Sequence, residues 1–402
     1  MPGPVSHNYI LFKSFRKYNA NCSLMKKIIE SHNKVYEFAK EKNGYKKYSI
    51  DECILSSCSY IGCNGPDLFF LETDEELPGV KKGTFLSDLM HYNKTSLYII
   101  WWLTELKKRK KLIEKGYQNN LHRQLAYCLG HVSHIAGDVC VHPYVNSVVQ
   151  AYSDNPPSMF SNNQGILYSG GKLWNFHNIM EQYQDTYTLH NRFYKMEGFY
   201  NYFENVNIAR GASIYYKINA NKSEHFLLDR SEKFYKFDGE VLRTKTYEKF
   251  KYMYFTSNNW VLDIARYFDT TIPTQKMMLS CPEIVQGGTY DEKGNLTEKG
   301  LFDHYLDDAI ALTLKFWSEI DSFLTSPNEH SLDNNNLDKK KFKLLRQHWN
   351  LDTGFSPSVN PNPIISAIPS EDINIEKELC ISGTLQFDNY FDLTKNDIKV
   401  SS

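Results

Sequence analysis

Residues 125–143 read Leu125-Ala-Tyr-Cys-Leu-Gly-His131-Val-Ser-His134-Ile-Ala-Gly-Asp138-Val-Cys-Val-His142-Pro143. This segment belongs to a longer pattern that predicts a helix over Asn119–His142, closed by Pro143 because proline cannot donate the next backbone hydrogen bond. Gly130, Ala136 and Gly137 are small. We therefore expect another helix or a ligand to approach this helix closely.

Three of its polar residues have the side chains that zinc prefers. His134, Asp138 and His142 are four residues apart, and each such step turns only about 40° around a helix axis, so all three lie on one side. Imidazole and carboxylate groups that converge in this way suit zinc. His131 lies at the flank of that side and is a weaker candidate. The alternative is a hydrogen-bonded His–Asp pair with no metal.

A second segment repeats the spacing. His177 and Glu181 are four residues apart, Asp185 follows at one further step, and a helix is predicted within Gly171–His190. Taken alone, this could equally be a solvent-exposed polar stripe. Together the two segments offer five candidate ligands, more than one tetrahedral zinc needs, which favours a site with several metal ions.

Helical periodicity also extends over the rest of the first 326 residues. Further helices are predicted at Leu24–Lys40, Asp88–Glu114 and Leu301–Leu324, so the fold class is an all-α, multi-helix bundle. The pattern weakens over Ser223–Thr256, where a short hairpin could form a small irregular insertion. We predict one helical domain over 1–326 and a polar linker and C-terminal tail over 327–402, in which Leu379–Leu393 could supply one or two short strands.

Composition bounds the remaining possibilities. The 402 residues carry 46 Lys and Arg against 47 Asp and Glu, so no global positive field exists to hold nucleic acid. No apolar run is long enough to cross a bilayer. No secretory signal is visible at the N-terminus, which favours the cytoplasm, although a processed N-terminus would leave secretion open. The eight cysteines are dispersed, and we expect reduced thiols. Oligomeric state is not indicated.

Other metal and hydrolase motifs are missing from the sequence. It has no H-E-x-x-H zincin motif, no glutamate three residues before a histidine, as helical di-iron bundles need, and no adjacent His-Asp doublet. Walker loops, G-x-G-x-x-G and the G-x-S-x-G elbow are also missing.

In its order of metal-ligating residues the chain resembles the zinc-dependent phospholipase C family, an all-α fold whose relatives include single-strand nucleases. The likeness covers the helical body, not the tail. The ordered set is His7, then Asp67 in Gly65-Pro66-Asp67-Leu68-Phe69-Phe70, then His91, His134, Asp138, His142, His177 and Glu181. From the residues alone, Asp67 could be a turn residue and His91 a helix-surface residue.

The resemblance implies two or three Zn²⁺ ions and a role for each residue of the set. One ion would be held by Asp67, His91, His134 and Asp138. A second would be held by His142, His177 and Glu181. A third would share Asp138 with His7 and the terminal amine. Asp67 is implied as the catalytic general base. Asp138 and His142 are closer in sequence than in the secreted members, so a different position of the second ion is expected. The tail is too short for their lipid-binding sandwich, and membrane binding is therefore not implied.

The implied activity is hydrolysis of a phospholipid head-group ester by metal-activated water. Two alternatives remain at this point. One is a nuclease or other phosphoesterase with the same metals, for which the basic run Lys107–Lys111 could hold a polyanion, though such a run is usually a solvated helix face. The other is a metal-bound scaffold without turnover.

Overall fold

The computed structural model describes fifteen ranges or single residues of the chain. They are 3–41, 50–67, 75–77, 80–81, 90–91, 95–108, 118–154, 173–193, 195–198, 201–202, 287–290, 296–326, 341–346, 349 and 351. Within the helices, the side chains of 50–51, 54, 118–120, 146–154, 173–179 and 182 are not described, and neither are those of strand residues 75–77, 80–81 and 289–290.

The described residues form seven helices and two small antiparallel hairpins. The helices are α1 (Pro4–Lys17), α2 (Ser23–Lys40), α3 (Ile50–Asn64), α4 (Thr95–Lys108), α5 (Gln118–Asp154), α6 (Leu173–Thr188) and α7 (Leu301–Thr325). A single π-helical stretch, Leu189–Phe193, directly follows α6. The hairpins are β1 (Glu75–Leu77) with β2 (Val80–Lys81), and β3 (Thr289–Tyr290) with β4 (Leu296–Glu298). The predicted all-α class is confirmed.

Helix α5 lies at the centre, where it packs against α1, α2, α3, α4, α6 and α7. Two glycines let α3 and α5 approach each other: a Cβ at Gly62 would collide with the backbone oxygen of Tyr127, and a Cβ at Gly130 with that of Ser59. The expected close approach at Gly130 is therefore confirmed. It brings the backbones of two helices together and so fixes the register of α3 on α5.

The prediction that this helix ends at Pro143 is wrong. Helix α5 continues through Pro143 to Asp154. Proline costs one backbone hydrogen bond and crowds the preceding turn, but it only kinks a helix that packing holds on both sides. Val141 and Tyr144, on either side of Pro143, are both buried.

The other predicted helices are found with shifted ends. Leu24–Lys40 corresponds to α2, Leu301–Leu324 to α7, and the helix within Gly171–His190 to α6. Of the predicted Asp88–Glu114, residues 90–91 and α4 are helical, and the remainder lies outside the described residues. So do the hairpin at Ser223–Thr256 and the strands at Leu379–Leu393. Helices α1 and α3 were not predicted, because their buried polar residues obscure the helical period.

Part of the chain after α7 packs back onto it. The carboxylate of Glu319 accepts backbone N–H groups of Lys343, Leu344 and Leu345 at 2.8–3.0 Å, and Trp349 is buried. The domain boundary at 326 stays a prediction. No helix among the described residues is long and apolar enough to cross a membrane, and the six described cysteines are all free thiols.

The basic run begins with a buried residue. Lys107 is 5% exposed, and its ammonium group donates to the carbonyl oxygen of Phe323 at 2.6 Å and bonds to the hydroxyl of Ser326 at 2.7 Å. Lys107 thus stabilises the C-terminal end of α7, where the helix dipole is negative. It is not part of a solvated helix face, and Arg109–Lys111 lie outside the described residues.

Candidate metal centre

Four separate parts of the chain supply side chains to one cluster. His134 and Asp138 lie one turn apart on α5, and His7 lies near the start of α1. Asp67 ends the short turn that follows α3, and His91 belongs to the described pair Met90–His91. These five residues are called the five-residue cluster below. They are spread over positions 7 to 138 of the sequence, and the packing of α1 and α3 on α5 helps to bring them together.

The atoms of the five-residue cluster converge. Nε2 of His134 lies 3.2 Å from Asp138 Oδ2, and Nε2 of His7 lies 3.1 Å from Asp138 Oδ1. Nε2 of His91 lies 3.1 Å from Asp67 Oδ1 and 3.6 Å from Asp138 Oδ2. Asp67 therefore contacts the histidines of the cluster and is not only a turn residue. His91, at 1% exposure, is not on a helix surface.

These distances are close to the spacing of two ligand atoms on one metal ion. Two ligand atoms that bind one tetrahedral zinc at about 2.0–2.1 Å lie about 3.3 Å apart. Nε2 of His7 and His134, Oδ1 of Asp67 and both carboxylate oxygens of Asp138 are buried and have no hydrogen-bond partner. Buried polar atoms are nearly always satisfied. Two groups of three, His7–His134–Asp138 and Asp67–His91–His134, have ligand atoms within 4.8 Å of one another.

Neighbouring groups orient the imidazoles. Nδ1 of His134 lies 3.0 Å from the backbone carbonyl oxygen of Cys63; an N–H at Nδ1 donating to that oxygen leaves Nε2 as an acceptor for a metal. The ring of His7 stacks on that of His134 with centroids 4.2 Å apart. At Gly137 a Cβ would lie 2.8 Å from Nδ1 of His7, so the missing side chain leaves room for this ring.

The charge states also suit metal binding. Burial lowers the pKa of His7, and the neighbouring His134 lowers it further, which favours the neutral imidazole that a metal requires. Burial alone would raise the pKa of Asp138, but His134 and His7 outweigh it and hold this pKa well below its usual range. Asp138 is thus an ionised carboxylate in the interior, which needs a cation nearby.

A second pair lies one turn further along α5. His142 follows Asp138 by four residues, about 6 Å along the axis, and its Nε2 lies 3.9 Å from Oε1 of Glu181 on α6. The backbone of His177 lies on α6 one turn before Glu181, but its side chain is outside the described residues. Of the eight predicted ligands, the structure thus brings five into one cluster and pairs two others.

Two further candidates have different surroundings. His131 is fully buried on α5, with Nδ1 3.3 Å from the hydroxyl of Tyr127. Asp185 accepts the backbone N–H groups of Val5 and Ser6; burial raises its pKa to about 7, the two N–H groups oppose this, and Glu181 adds to it. Neither this contact nor the carbonyl of Cys63 was found from the sequence, because a backbone partner leaves no residue-type signal.

Comparison with known proteins found one family. The sequence model of the family described as zinc-dependent phospholipase C matches residues 59–268, a little over half of the chain. All eight candidate ligands except His7 fall inside the matched range. No curated protein and no solved structure matches the chain significantly.

Proposed function

Since the chain belongs to the zinc-dependent phospholipase C family, we propose that it hydrolyses the head-group phosphodiester of a phospholipid, releasing diacylglycerol and a phosphorylated head group. The family implies a phosphodiester hydrolase that depends on zinc. The substrate, the number of ions and the ligands are the proposed part. The observation that carries the proposal is the convergence of three imidazoles and two carboxylates. Among their buried atoms, Nε2 of His7 and His134, Oδ1 of Asp67 and both oxygens of Asp138 have no hydrogen-bond partner.

The proposed ligands follow the spatial groups. One zinc would be held by Asp67, His91, His134 and Asp138, and another by His7 and the second oxygen of Asp138. His142, Glu181 and His177 would hold a further ion. Asp138 has two oxygens without hydrogen-bond partners, and they face different histidines, so it would offer one oxygen to each of two ions. This arrangement predicts two or three zinc ions per chain.

Zinc in such a site neutralises charge on the phosphoryl oxygens and lowers the pKa of water towards about 7. Asp67 is the most exposed member of the five-residue cluster, with 19% of its side chain accessible, whereas His7, His134 and Asp138 are fully buried. A substrate and a water molecule would therefore reach Asp67 first. We assign Asp67 as the general base, whose carboxylate accepts the proton of the attacking water.

The test combines metal analysis with hydrolysis of a short-chain phosphatidylcholine. The zinc-loaded protein is expected to bind two or three zinc ions and release phosphocholine, His134→Ala to lose zinc and activity, and Asp67→Asn to lower kcat by about 10²- to 10⁴-fold. The matched control is His32→Ala, which removes an equally buried histidine outside the five-residue cluster and should keep its zinc.

Other results would favour one of the two alternative functions or contradict the ligand assignment. Cleavage of single-stranded nucleic acid without cleavage of phosphatidylcholine would replace the proposal with the nuclease alternative. Full zinc loading without hydrolysis of either substrate would support a metal-bound scaffold. Unchanged zinc content in both His134→Ala and Glu181→Ala would contradict the ligand assignment itself.

A further inference from the structure

Helix α1 carries His7 but has no cap of its own. Its N-cap residue is Gly3, which has no side chain to offer, and no acidic residue lies in its first turn. The first N–H groups of a helix have no partner within the helix and need one from elsewhere. Here Pro4 has no N–H group, and the N–H of His7 donates to the carbonyl of Gly3 at 3.1 Å. The N–H groups of Val5 and Ser6 remain.

Both remaining N–H groups are satisfied by one carboxylate from a distant helix. Asp185 on α6 accepts from Val5 at Oδ2, 3.0 Å away, and from Ser6 at Oδ1, 2.8 Å away. A Cβ at residue 3 would collide with this carboxylate, so glycine is needed there for the contact. The hydroxyl groups of Ser6 and Thr188 add a second link at 3.0 Å. The first turn of α1 is thus bound to the last turn of α6.

His7 needs such a link because its own ring has no hydrogen bond to orient it. Its Nδ1 has no hydrogen-bond partner, whereas Nδ1 of His134 is held by a backbone carbonyl. A histidine that binds a metal usually has its other nitrogen held in this way. The position of His7 against Asp138 must then come from the placement of its backbone and from stacking on His134.

We propose that Asp185 is a positioning residue for the metal centre: through the first turn of α1 it holds His7 against Asp138, and it ties His7 to the helix that carries Glu181. This inference rests on the ligand role proposed above for His7. The affinity for the ion nearest His7 would then depend on the carboxylate of Asp185, although this carboxylate does not contact the ion.

The test measures zinc affinity by competition with a chelator, together with the absorption spectrum of the cobalt-substituted protein, which reports the ligand set. Asp185→Asn offers at most one acceptor to the two N–H groups, so we expect about 10- to 100-fold weaker binding of one ion and a changed cobalt spectrum. In a His7→Ala background the same substitution should weaken zinc binding no further.

Asp321→Asn is the matched control. Asp321 on α7 is also buried, and its carboxylate also accepts two consecutive N–H groups, those of Asn21 at 2.8 Å and Cys22 at 2.6 Å, at the start of α2. No candidate ligand lies on α2. Both Asp321→Asn and Asp185→Asn should lower the free energy of unfolding. Asp321→Asn should nevertheless keep its zinc affinity and cobalt spectrum.

The outcomes separate this inference from the proposed function. Unchanged zinc affinity in His7→Ala overturns the ligand role of His7 and this inference with it. If His7→Ala weakens zinc binding but Asp185→Asn keeps full zinc affinity, only the inference is overturned. The same holds if Asp321→Asn weakens zinc binding as much as Asp185→Asn does. If Asp185→Asn does not fold, Thr188→Val takes its place; it removes the hydroxyl bonded to Ser6, and a smaller loss of affinity for the same ion is expected.

Discussion

Two groups of buried polar residues that contain histidine, both among the described residues, differ in how their polar atoms are satisfied. Near α2 and α3, Nε2 of His32 is hydrogen-bonded to the hydroxyl of Tyr202 at 2.6 Å and lies 3.3 Å from that of Tyr60, and the two hydroxyls are 3.0 Å apart. These three residues, called the aromatic cluster below, are fully buried. One nitrogen there, Nδ1 of His32, lacks a hydrogen bond.

The five-residue cluster leaves more polar atoms unsatisfied, and some of them are charged. Both oxygens of Asp138 and Nε2 of His7 and His134 lack hydrogen-bond partners, although the two imidazoles lie 3.1 and 3.2 Å from the carboxylate. A carboxylate without hydrogen bonds in the interior costs far more free energy than one imidazole nitrogen without a hydrogen bond. The two clusters thus differ in what surrounds a buried histidine: tyrosine hydroxyls in the aromatic cluster, and a buried carboxylate without hydrogen-bond partners in the five-residue cluster.

The largest expected difference between the clusters is their response to zinc removal. Chelation should lower the free energy of unfolding by about 4 kcal/mol when free zinc exceeds its dissociation constant about 1,000-fold, because bound zinc compensates the charge of Asp138. Denaturant unfolding with and without chelator measures this difference. His134→Ala should show a much smaller difference, and an equal one would mean that zinc binds elsewhere.

The sequence was sufficient to predict part of the five-residue cluster but not the aromatic cluster. Asp138 lies one turn after His134, so the spacing alone places a carboxylate beside an imidazole. Ile28 and Tyr36 lie one turn on either side of His32, and nothing there predicts a ligand. The aromatic cluster depends instead on Tyr60 and Tyr202, which only tertiary packing brings near His32.

The rest of the fold was less predictable for related reasons. The continuation of α5 through Pro143 depends on packing at both sides of the proline, and α1 is completed by Asp185 from far along the chain. Neither contact changes the local pattern of apolar residues, which is the signal that sequence analysis uses. The order of the candidate ligands along the chain was enough to predict the family. The distances between them depend on the packing of α1 and α3 on α5.

A substitution between α3 and α5 should affect both clusters. Gly130→Ala places a Cβ against the backbone of Ser59, next to Tyr60 and on the helix that leads to Asp67. Separating the two backbones should cost about 1–3 kcal/mol and also weaken zinc binding. Ser133→Ala, one turn later on α5, adds no atom and is the control. Full zinc affinity in a destabilised Gly130→Ala would show that the metal centre tolerates a shift of α3.

A substitution confined to the aromatic cluster should change the free energy of unfolding by the same amount with and without zinc. Tyr202→Phe removes the hydroxyl bonded to Nε2 of His32 and leaves that nitrogen buried without this partner, which should cost about 1–3 kcal/mol. The same loss is expected for zinc-loaded and chelated protein in denaturant unfolding. A loss that changes with zinc would mean that the two clusters are energetically coupled through α3.

The smallest expected effect is the contribution of His32 to the pH dependence of the free energy of unfolding. Burial lowers the pKa of His32 well below its ordinary value, and Arg16 lowers it further, so the folded protein keeps this ring neutral while the unfolded chain takes up a proton below about pH 6.5. The stability that depends on neutral His32 is therefore present above pH 6.5 and falls as the pH is lowered, by at most about 1.4 kcal/mol per unit. In chelated protein, His32→Gln should show a shallower fall in the free energy of unfolding between pH 6.5 and 5.5, since the contributions of the other histidines are common to both proteins. Parallel curves would mean that His32 is protonated in the folded state and that its pKa is not depressed by the aromatic cluster.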